Sequence, residues 1–523
     1  MKSCRLAVTF AALVLLLGIV SVSSAQQASA GSKPKHRRYK FVDLGTLGGP
    51  VSYESSNGEG NQLLNDSGVI AFSADTAIPD PNPDFCFNFH PDGCFVTHAT
   101  RWKNGTLKDL GALPGLNSST TDAINDRGWS VGFSTNGLID PLVGGAPVDT
   151  AVLWNGREMH DLGTLGGLWS LATGITNGGQ VVGMATIDES PDPFWDLVGA
   201  PWPSPTHPFI WNQGKMTDLG TLGGPDALIA AGCVNQGLVV GSSFTSYTPD
   251  SSSGFPPVAP FAWIKGAMKN LGTLGGSFGF AHCGNNRGQV IGASSLAEHP
   301  FACFTGEPGC HPFLWERGVL RDLGTLGGDN GLPIWINDAG EIVGEASTAN
   351  NQATHAFLWR KGVMTDLGSL GDHSHATAIN SKSQVVGWYY ITGRTEPPFR
   401  HAFIWETGGS MVDLNTLIPT NSGLELVAAD NINERGEIVG VGVPARCFPD
   451  YCGHLFLLIP CTVDEDQDCA DKEQTTGVVV QSNAQPVALN STWTQDASNG
   501  HLSPWRMQMV NRYHIQTTRA PRN

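Results

Sequence analysis

Hydrophobic residues along the chain fall in short runs that turn sequences separate. The stretch from Ser170 to Gly220 is representative, since it reads SLATGIT, the turn NGG, QVVGMAT, a Pro-rich insertion, HPFIW, the turn NQGK and MTDLG. Short β-branched and aromatic runs bounded by Gly, Asn and Pro predict strands joined by hairpins. We call the four predicted strands a, b, c and d.

Strand d carries a string that recurs along the chain. DLGTLGG occurs at Asp161–Gly167, Asp218–Gly224 and Asp322–Gly328, and related strings begin at Asp43, Asp109, Asn270, Asp366 and Asp413. Eight copies at intervals of 44 to 66 residues indicate a repeat architecture, and four antiparallel strands per repeat are typical of a propeller blade.

Two other landmarks of the repeat also occur eight times. The a–b turn carries Gly, with Ser383 once in its place, and its glycines are Gly68, Gly128, Gly179, Gly237, Gly288, Gly340 and Gly436. Strand c ends in Trp, with Leu458 in the last copy, and its tryptophans are Trp102, Trp154, Trp211, Trp263, Trp315, Trp359 and Trp405. A large aromatic at a fixed position favours a core between blades over a ligand platform.

The order of the strands predicts how the array ends. Tyr39–Gly45 (YKFVDLG) is a lone strand d, whereas the last repeat stops after strand c at HLFLLIP. Pairing the two would leave no exposed edge strand. The predicted fold is therefore all-β: an eight-bladed β-propeller of four-stranded blades over residues 39–460, in which the N-terminal strand completes the last blade.

The N-terminus has the features of a secretory signal. Lys2 and Arg5 precede the apolar stretch Leu6–Val22, and Ser23–Ala25 offers a cleavage site after small residues. A second cleavage site near Ala30 and a membrane anchor are the alternatives. We predict a signal peptide at 1–25, a basic linker at 26–38, and export to the extracellular space, with the periplasm or cell surface as alternatives.

The net charge of the exported chain limits the kinds of molecule that it is expected to bind. Loss of residues 1–25 leaves 28 basic and 47 acidic residues, a net charge of −19. Such a field disfavours nucleic acid and anionic membrane surfaces. No stretch after the signal is long and apolar enough to span a bilayer, and we expect a monomer.

Ten cysteines remain after the signal, and an even number in an exported chain favours disulfides. No CxxC or zinc spacing occurs. Four predicted pairs are close in sequence, and the two remaining cysteines, which occupy nearly equivalent places in consecutive repeats, form the fifth: Cys86/Cys94, Cys303/Cys310, Cys447/Cys452, Cys461/Cys469 and Cys233/Cys283.

Three segments carry a family resemblance. HAFLW at His355–Trp359, MTDLGSLG at Met364–Gly371 and AINSKSQVVG at Ala378–Gly387 resemble the bacterial extracellular HAF repeat family. The resemblance covers Phe41 to about Pro460 and implies a secreted repeat protein with no established enzymatic activity and no catalytic residues. The segments DTAVLW and APFAW lack the His of the pattern.

Six histidines occupy equivalent positions in strand c: His98, His207, His311, His355, His401 and His454. Copies in neighbouring blades should lie on the order of 10 Å apart, whereas zinc ligands must lie within about 2.1 Å of the metal. We therefore expect each His to form hydrogen bonds within its own blade. No nucleophile with a base and no carboxylate pair stands out from the repeat.

Function is expected where the copies differ, which is in the b–c insertions. All of these would decorate one face, and loops on a rigid scaffold commonly carry recognition. Phe194, Trp195 and Trp202 are the predicted exposed aromatic cluster, which would bind an extracellular protein or glycan; the alternative is that they pack against their own loop. The main expectation is a non-catalytic binding scaffold. The alternatives are a carbohydrate-active or other hydrolytic propeller, whose acids lie on the insertions or at the axis, and a structural component of the cell surface or matrix.

The tail, residues 461–523, is acidic and otherwise polar and aperiodic, and we expect most of it to be disordered. Asp464, Asp466 and Asp468 alternate there, a pattern that can bind Ca²⁺. The Gly that such loops need at the sixth position is absent, so a solvated acidic loop is the main interpretation. No other cofactor is expected.

DLGTLGG itself resembles a phosphate loop only in its glycines. A phosphate loop continues into a helix with a Lys, and neither is expected here. We interpret Asp-Leu as the end of strand d and Gly-Thr-Leu-Gly-Gly as the crossing to the next strand a. Its glycines would let backbone pass close to backbone, and its Leu would pack between blades.

Overall fold

Short β-strands make up most of the computed structural model. It describes residues 37–462 except 55–60, 83–86, 88, 91–92, 116, 144, 157, 193–201, 203, 231–237, 251–253 and 448–451. The helices there are a single turn α1 (Ala302–Thr305) and three 3₁₀ turns: Pro141–Val143, Ala349–Asn351 and Leu414–Thr416.

The strands of the first half follow one another in the chain. They are β1 (Tyr39–Asp43), β2 (Gly48–Tyr53), β3 (Ile70–Pro79), β4 (Phe89–His90), β5 (Gly93–Lys103), β6 (Thr106–Gly111), β7 (Ser119–Ile124), β8 (Ser130–Asp140), β9 (Ala146–Trp154), β10 (Met159–Asp161), β11 (Ser170–Ile175), β12 (Val181–Thr186), β13 (Thr206–Asn212), β14 (Lys215–Asp218), β15 (Ala227–Ile229), β16 (Val239–Phe244), β17 (Val258–Ile264) and β18 (Ala267–Asn270).

The second half continues in the same way. Its strands are β19 (Gly275–Gly284), β20 (Val290–Leu296), β21 (Cys310–Glu316), β22 (Val319–Asp322), β23 (Gly327–Ile336), β24 (Ile342–Thr348), β25 (Thr354–Arg360), β26 (Val363–Asp366), β27 (Ser374–Ile379), β28 (Val385–Tyr390), β29 (Arg400–Trp405), β30 (Val412–Asp413), β31 (Glu425–Ile432), β32 (Ile438–Val443) and β33 (His454–Pro460).

Most sheets consist of four consecutive antiparallel strands, as the repeat predicts. The strands β7–β10, β11–β14, β23–β26 and β27–β30 each form such a sheet, and β2, β3, β5 and β6 form another, to which β4 adds a short hairpin. The strands β15–β18 and β19–β22 form two more sets of four, which one parallel bridge between Val258 and Phe278 joins into an eight-stranded sheet.

The last sheet combines the two ends of the repeat region. Strand β1 pairs antiparallel with β33, with Tyr39 opposite Pro460 and Asp43 opposite Phe456. The order β1-β33-β32-β31 is the arrangement predicted for a lone N-terminal strand d. This sheet also packs against the first one, because Val439 and Leu457 share a buried cluster with Leu63 and Phe72.

Hairpin chemistry follows the sequence closely. The a–b turn glycines that the structure describes have positive φ values, such as 74° at Gly128. Ser383, which replaces the glycine in one of these turns, also has a positive φ of 56°. In the c–d turns both central residues have positive φ, as at Gln213 and Gly214. Such paired positive φ values match the twist of two-residue hairpins.

The tryptophans at the end of strand c pack between sheets, as predicted. Trp359 is buried in a cluster with Ile291 and Leu314 of the preceding sheet. Trp102 shares a cluster with Leu455 of the last sheet. The fixed aromatic therefore belongs to the core at these positions.

The DLGTLGG joint is a hydrogen-bonded turn. At Asp218–Gly224, the carboxylate of Asp218 accepts the N–H of Gly220 at 2.7 Å, and Thr221 Oγ1 donates to the carbonyl of Gly224 at 2.8 Å. A Cβ on Gly224 would lie 2.3 Å from Cβ of Phe244, so this Gly permits the close approach that was predicted. The predicted packing of the crossing Leu is confirmed in other copies, since Leu47 is buried between the first and last sheets and Leu165 and Leu274 pack against buried clusters. In this copy Leu222 is only half-buried, and Leu219 before the crossing is buried.

Two of the predicted disulfides are present, Cys303–Cys310 and Cys447–Cys452. Cys94, Cys283 and Cys461 are also disulfide-bonded. Their predicted partners Cys86, Cys233 and Cys469 lie outside the described residues, as do the signal peptide and nearly all of the tail. In the part of the chain that can be described, no helix is long and apolar enough to cross a membrane.

Candidate functional site

Each of the six strand-c histidines contacts an aspartate of its own sheet, as expected for a structural His. The aspartate is the first residue of the DLG string, and Nδ1 of the histidine lies 2.8–3.0 Å from its nearer oxygen. The pairs are His98–Asp109, His207–Asp218, His311–Asp322, His355–Asp366, His401–Asp413 and His454–Asp43. In the copy that has Ala259 instead of His, Asn270 replaces the aspartate.

The pair at His401 is elaborated by further polar side chains. Nε2 of His401 lies 2.5 Å from Oε1 of Glu425, and Arg394 forms a two-point ion pair with that same carboxylate. The hydroxyl of Tyr389 donates to Oδ2 of Asp413 at 3.0 Å. We call these residues, Tyr389, Arg394, His401, Asp413 and Glu425, the Tyr389 cluster.

Several elements bring the Tyr389 cluster together. Tyr389 on β28 lies directly opposite His401 on β29. Asp413 ends β30, and Arg394 lies in the b–c connection between β28 and β29. Glu425 is the first residue of β31 in the next sheet, so the cluster spans the boundary between two sheets.

The His401–Asp413 pair differs from the other five His–Asp pairs in the residue that lies opposite the histidine on the neighbouring strand. In the other five pairs the cross-strand partner is small, which leaves no side chain to reach the aspartate: Ala74, Ala185, Ser294, Ala346 and Gly442. Aligning the b strands would have singled out Tyr389, because VVGWYY replaces sequences such as VVGMAT. Glu425 and Arg394 carry no comparable signal, since they lie outside the repeated strings.

Local charges push the pKa values of the cluster apart. Burial alone would lower the pKa of His401, but its hydrogen bonds to Asp413 and Glu425, and their charges, raise it above its ordinary value. Burial alone would raise the pKa of Glu425, but the hydrogen bonds and charges of Arg394 and His401 lower it. A histidine with a raised pKa therefore lies beside a carboxyl group with a lowered pKa.

The pKa values of Tyr389 and Asp413 are also shifted in opposite directions. Burial, followed by the charge of Asp413, raises the pKa of Tyr389 well above its ordinary value, so the phenol stays protonated. Burial alone would raise the pKa of Asp413, but the hydrogen bond and charge of His401, together with the hydrogen bonds from Asn415, lower it. The side chains of His401, Asp413, Glu425 and Arg394 keep 17–27% of their surface exposed, so solvent reaches the cluster.

An aromatic surface lies on the face of β28 opposite to Tyr389, because successive side chains of a strand point to opposite faces. Tyr390, the residue after Tyr389, is 42% exposed and contacts Trp388 edge to face at 5.3 Å. The guanidinium of Arg400 lies over the ring of Trp388 at 5.1 Å. Exposed aromatic faces next to polar groups suit the apolar faces of sugar rings.

The predicted aromatic ligand cluster is not exposed where it can be described. Trp202 is 2% exposed and stacks on Trp169 at 5.8 Å, while Nε1 of Trp169 donates to Asp140 at 2.7 Å. The expected exposure of Trp202 was therefore wrong, because this side chain anchors its insertion to the preceding sheet. Phe194 and Trp195 lie outside the described residues.

A buried carboxyl pair lies near that anchor. Asp226 accepts the N–H of Thr206 at 2.6 Å. Burial, followed by the hydrogen bond and charge of Asp192, raises the pKa of Asp226 well above its ordinary value. Because both residues are almost fully buried, we assign the pair to the packing of the insertion.

The predicted calcium ligands Asp464, Asp466 and Asp468 fall outside the described residues. Among residues that are described, no group of three or more His, Cys, Asp or Glu side chains could hold a metal ion.

Neither a known protein family nor a curated protein matches the chain, so the resemblance to the HAF repeat family stays a prediction. Solved structures do resemble it. The β-propeller domain of the Trilobed protease from Pyrococcus furiosus is 8% identical, with a TM-score of 0.41, and the match covers 70% of this chain and 95% of that one.

Two further similar structures are longer proteins. Dipeptidyl peptidase 4 from Porphyromonas gingivalis is 11% identical with a TM-score of 0.42, and the match covers 75% of this chain and 59% of that one. The acylaminoacyl peptidase from Pyrococcus horikoshii is 11% identical with a TM-score of 0.37, over 77% of this chain and 59% of that one.

These findings correct the expectation of a non-catalytic binding scaffold. The similar structures come from peptidases, and Trp202 of the expected ligand site is buried. Identities of 8–11% assign no reaction to this chain. The chain is an all-β protein with several four-stranded antiparallel sheets, similar in fold to propeller structures.

Proposed function

We propose that residues 39–460 form a closed eight-bladed propeller that is exported from the cell. The pairing of β1 with β33 supports closure, as does the hydrogen bond from Asn433 Nδ2 in the last sheet to the Asn65 carbonyl in the first. Disulfides support an oxidising compartment outside the cytoplasm.

We propose further that the propeller is a hydrolytic enzyme and that the Tyr389 cluster is its acid–base site. The observation that carries this is the contact between His401, whose pKa is raised, and Glu425, whose pKa is lowered, in a copy that alone has Tyr389 opposite the histidine. Groups whose pKa values are pushed apart in this way fit the roles of general acid and general base.

Glycosidic bonds are the proposed substrate class. Ester and amide hydrolysis commonly relies on an activated Ser, Cys or Thr nucleophile, and the Tyr389 cluster contains none of these side chains. Glycoside hydrolysis requires a proton donor and a carboxylate on either side of the scissile bond, about 5–9.5 Å apart. In the proposed function, His401 and Glu425 supply these two groups after they separate around the substrate.

In the proposed reaction, the substrate enters between His401 and Glu425, their contact opens, and His401 donates its Nε2 proton to the glycosidic oxygen as the C–O bond breaks. Water attacks the sugar carbon and gives a proton to Glu425. The 2.5 Å contact between Glu425 and His401 then returns this proton to the imidazole, which restores the resting state. Asp413 holds the other imidazole nitrogen and stabilises the charged form, and Arg394 fixes the position of Glu425.

The test is release of reducing ends from xylan, laminarin, pectin, carboxymethyl-cellulose and chitosan by the purified chain. We expect activity on at least one of them, and we expect Glu425→Gln to lower kcat at least about 100-fold, the usual range for loss of a general base. Asp329→Asn is the matched control, because Asp329 lies near the start of β23 and its exposed carboxylate accepts a hydrogen bond from Asn351, away from the Tyr389 cluster. No activity on any polymer, or equal activity of the two variants, would overturn the proposal.

A further inference from the structure

Strand β28 carries a second group of side chains, on the face opposite to Tyr389. Trp388 and Tyr390 share this face, because alternate residues of a strand point the same way. Arg400 on β29 lies directly opposite Tyr390, and its guanidinium lies over the ring of Trp388 at 5.1 Å. His373 contacts the ring of Tyr390 edge to face at 6.3 Å. We call His373, Trp388, Tyr390 and Arg400 the Tyr390 surface.

The cross-strand pair of Tyr390 and Arg400 departs from the repeat. Six other sheets have an equivalent pair, and none of these pairs contains a basic residue: Asp75/Thr97, Thr135/Asp149, Thr186/Thr206, Phe244/Val258, Ser295/Cys310 and Ser347/Thr354. Most of these residues are buried, whereas Tyr390 is 42% exposed and Arg400 is half-buried. Since the other sheets form without such a pair, the fold does not require an arginine at this position.

The guanidinium of Arg400 can accept a ligand. Within the part of the chain that the structure describes, it forms no hydrogen bond or ion pair. Two carboxylates of the adjoining segments have other partners. Glu345 lies 2.9 Å from Nδ1 of His375. Asp372 accepts a hydrogen bond from the hydroxyl of Thr392 at 2.9 Å.

His373 adds a second hydrogen-bond donor to this surface. Its Nδ1 accepts the N–H of Thr354 at 2.9 Å, so the proton of the neutral ring lies on Nε2. The Tyr390 surface therefore combines a flat cation, an N–H donor and an exposed phenol ring. Stacking on Trp388 restricts the Arg400 guanidinium, so less conformational freedom is lost when it binds.

This combination fits a sugar that carries a carboxylate. The apolar face of a sugar ring packs against an aromatic ring such as that of Tyr390. A carboxylate accepts two parallel hydrogen bonds from a guanidinium, which gives both affinity and a fixed orientation. A neutral sugar would use the aromatic ring and leave the charge of Arg400 without a partner.

We propose that the Tyr390 surface binds a uronic acid residue of an acidic polysaccharide, with the sugar ring against Tyr390 and the carboxylate on Arg400. The proposal does not depend on hydrolysis at the Tyr389 cluster, because the two groups of residues lie on opposite faces of one sheet. The Tyr390 surface contacts the preceding sheet through Thr354, whereas the Tyr389 cluster contacts the following sheet through Glu425.

Isothermal titration calorimetry with trigalacturonate tests the proposal, and the fully methyl-esterified trisaccharide is the matched neutral probe. Titrations at about 150 mM NaCl largely screen the negative charge of the rest of the chain. We expect the acid to bind at least about tenfold more tightly than the ester, the usual range for hydrogen bonds to a charged group. The unmodified protein and Glu425→Gln should bind the acid equally, which separates this site from the proposed hydrolytic one.

Arg400→Gln should weaken trigalacturonate binding at least about tenfold. Arg321→Gln, which removes an exposed guanidinium on β22, is the matched control and should leave binding unchanged. Tyr390→Ala removes the exposed ring and provides a second variant if Arg400→Gln does not fold, with at least about threefold weaker binding expected.

Three results would overturn the proposal. They are absence of trigalacturonate binding, equal binding of the acid and its ester, and Arg400→Gln and Tyr390→Ala variants that bind like the unmodified protein. Loss of binding in Glu425→Gln would also overturn it, because the sugar would then occupy the Tyr389 cluster.

Discussion

His454 and Asp43 lie 411 positions apart in the chain, yet Nδ1 of His454 is 3.0 Å from Oδ2 of Asp43. The same contact within every other His-bearing sheet joins residues only 11 or 12 positions apart. One local interaction of the repeat therefore becomes the long-range link that fastens β1 to the last sheet.

We expect His454→Gln to cost more stability than His98→Gln. Both lose a hydrogen bond to a carboxylate, worth about 1.5–3 kcal/mol, and the first also weakens attachment of the N-terminal strand. Urea unfolding measures the difference in free energy of unfolding. Equal losses in the two variants would show that β1 is held by its backbone pairing alone.

The asparagines of the a–b turns form a second link between sheets. Asn433 accepts the N–H groups of Arg435 and Glu437 with Oδ1, while its Nδ2 donates to the Asn65 carbonyl. Asn337 and Asn380 make the same bond to the following sheet.

Asn433→Asp keeps the acceptor and removes the donor, which places two oxygens against each other. We expect a loss of about 1–3 kcal/mol in the free energy of unfolding. Thr365→Ala, which removes an exposed side chain on β26, serves as the control and should change stability by less than about 1 kcal/mol. A neutral Asn433→Asp variant would contradict a role for this bond in joining the last sheet to the first.

The His–Asp pairs predict a pH range of greatest stability. The raised pKa values of His401 and His454 give stabilisation that is complete below the ordinary value of 6.5 and is lost as pH rises through the raised values. The lowered pKa values of Asp109, Asp218 and Asp322 give stabilisation that is present above 3.8 and is lost as pH falls.

Urea unfolding between pH 3 and 9 should therefore give a maximum in the acidic range, with a decline above it that His454→Gln reduces. Stability that rises steadily from pH 6.5 to 9 would contradict these assignments.

Gly220 and Gly224 of the DLGTLGG joint are required for different reasons. Gly220 has φ 68° with no atom within 4 Å of an added Cβ, so Gly220→Ala should cost about 1–2 kcal/mol through the backbone conformation alone. Gly224→Ala would place its Cβ 2.3 Å from that of Phe244, and we expect a larger loss. Thermal unfolding ranks the two, and the reverse order would mean that the strands separate easily.

Much of the fold is predictable because it is repeated. Strand order, the positive-φ turns at residues such as Gly128 and Ser383, and the N-terminal strand that pairs with β33 all follow from patterns that recur along the chain. The structural role of the strand-c histidines could be predicted from the sequence as well. Their aspartate partners could not, because each aspartate lies on the adjacent strand.

The candidate site was not predictable in the same way. Arg394 and Glu425 occur once, outside the repeated strings, and only folding places them beside His401. The burial of Trp202 was not predictable for a related reason. The sequence shows an aromatic residue in a Pro-rich insertion, but it does not show that Trp169 of the repeat covers this side chain.

The central claim is that one of six similar His–Asp pairs performs chemistry. The most direct measurement is reducing-end release by six single variants, His98→Gln, His207→Gln, His311→Gln, His355→Gln, His401→Gln and His454→Gln, each normalised to its folded fraction. We predict that His401→Gln lowers kcat by at least about 100-fold and that the other five stay within about threefold of the unmodified protein. Six variants of equal activity would contradict the claim.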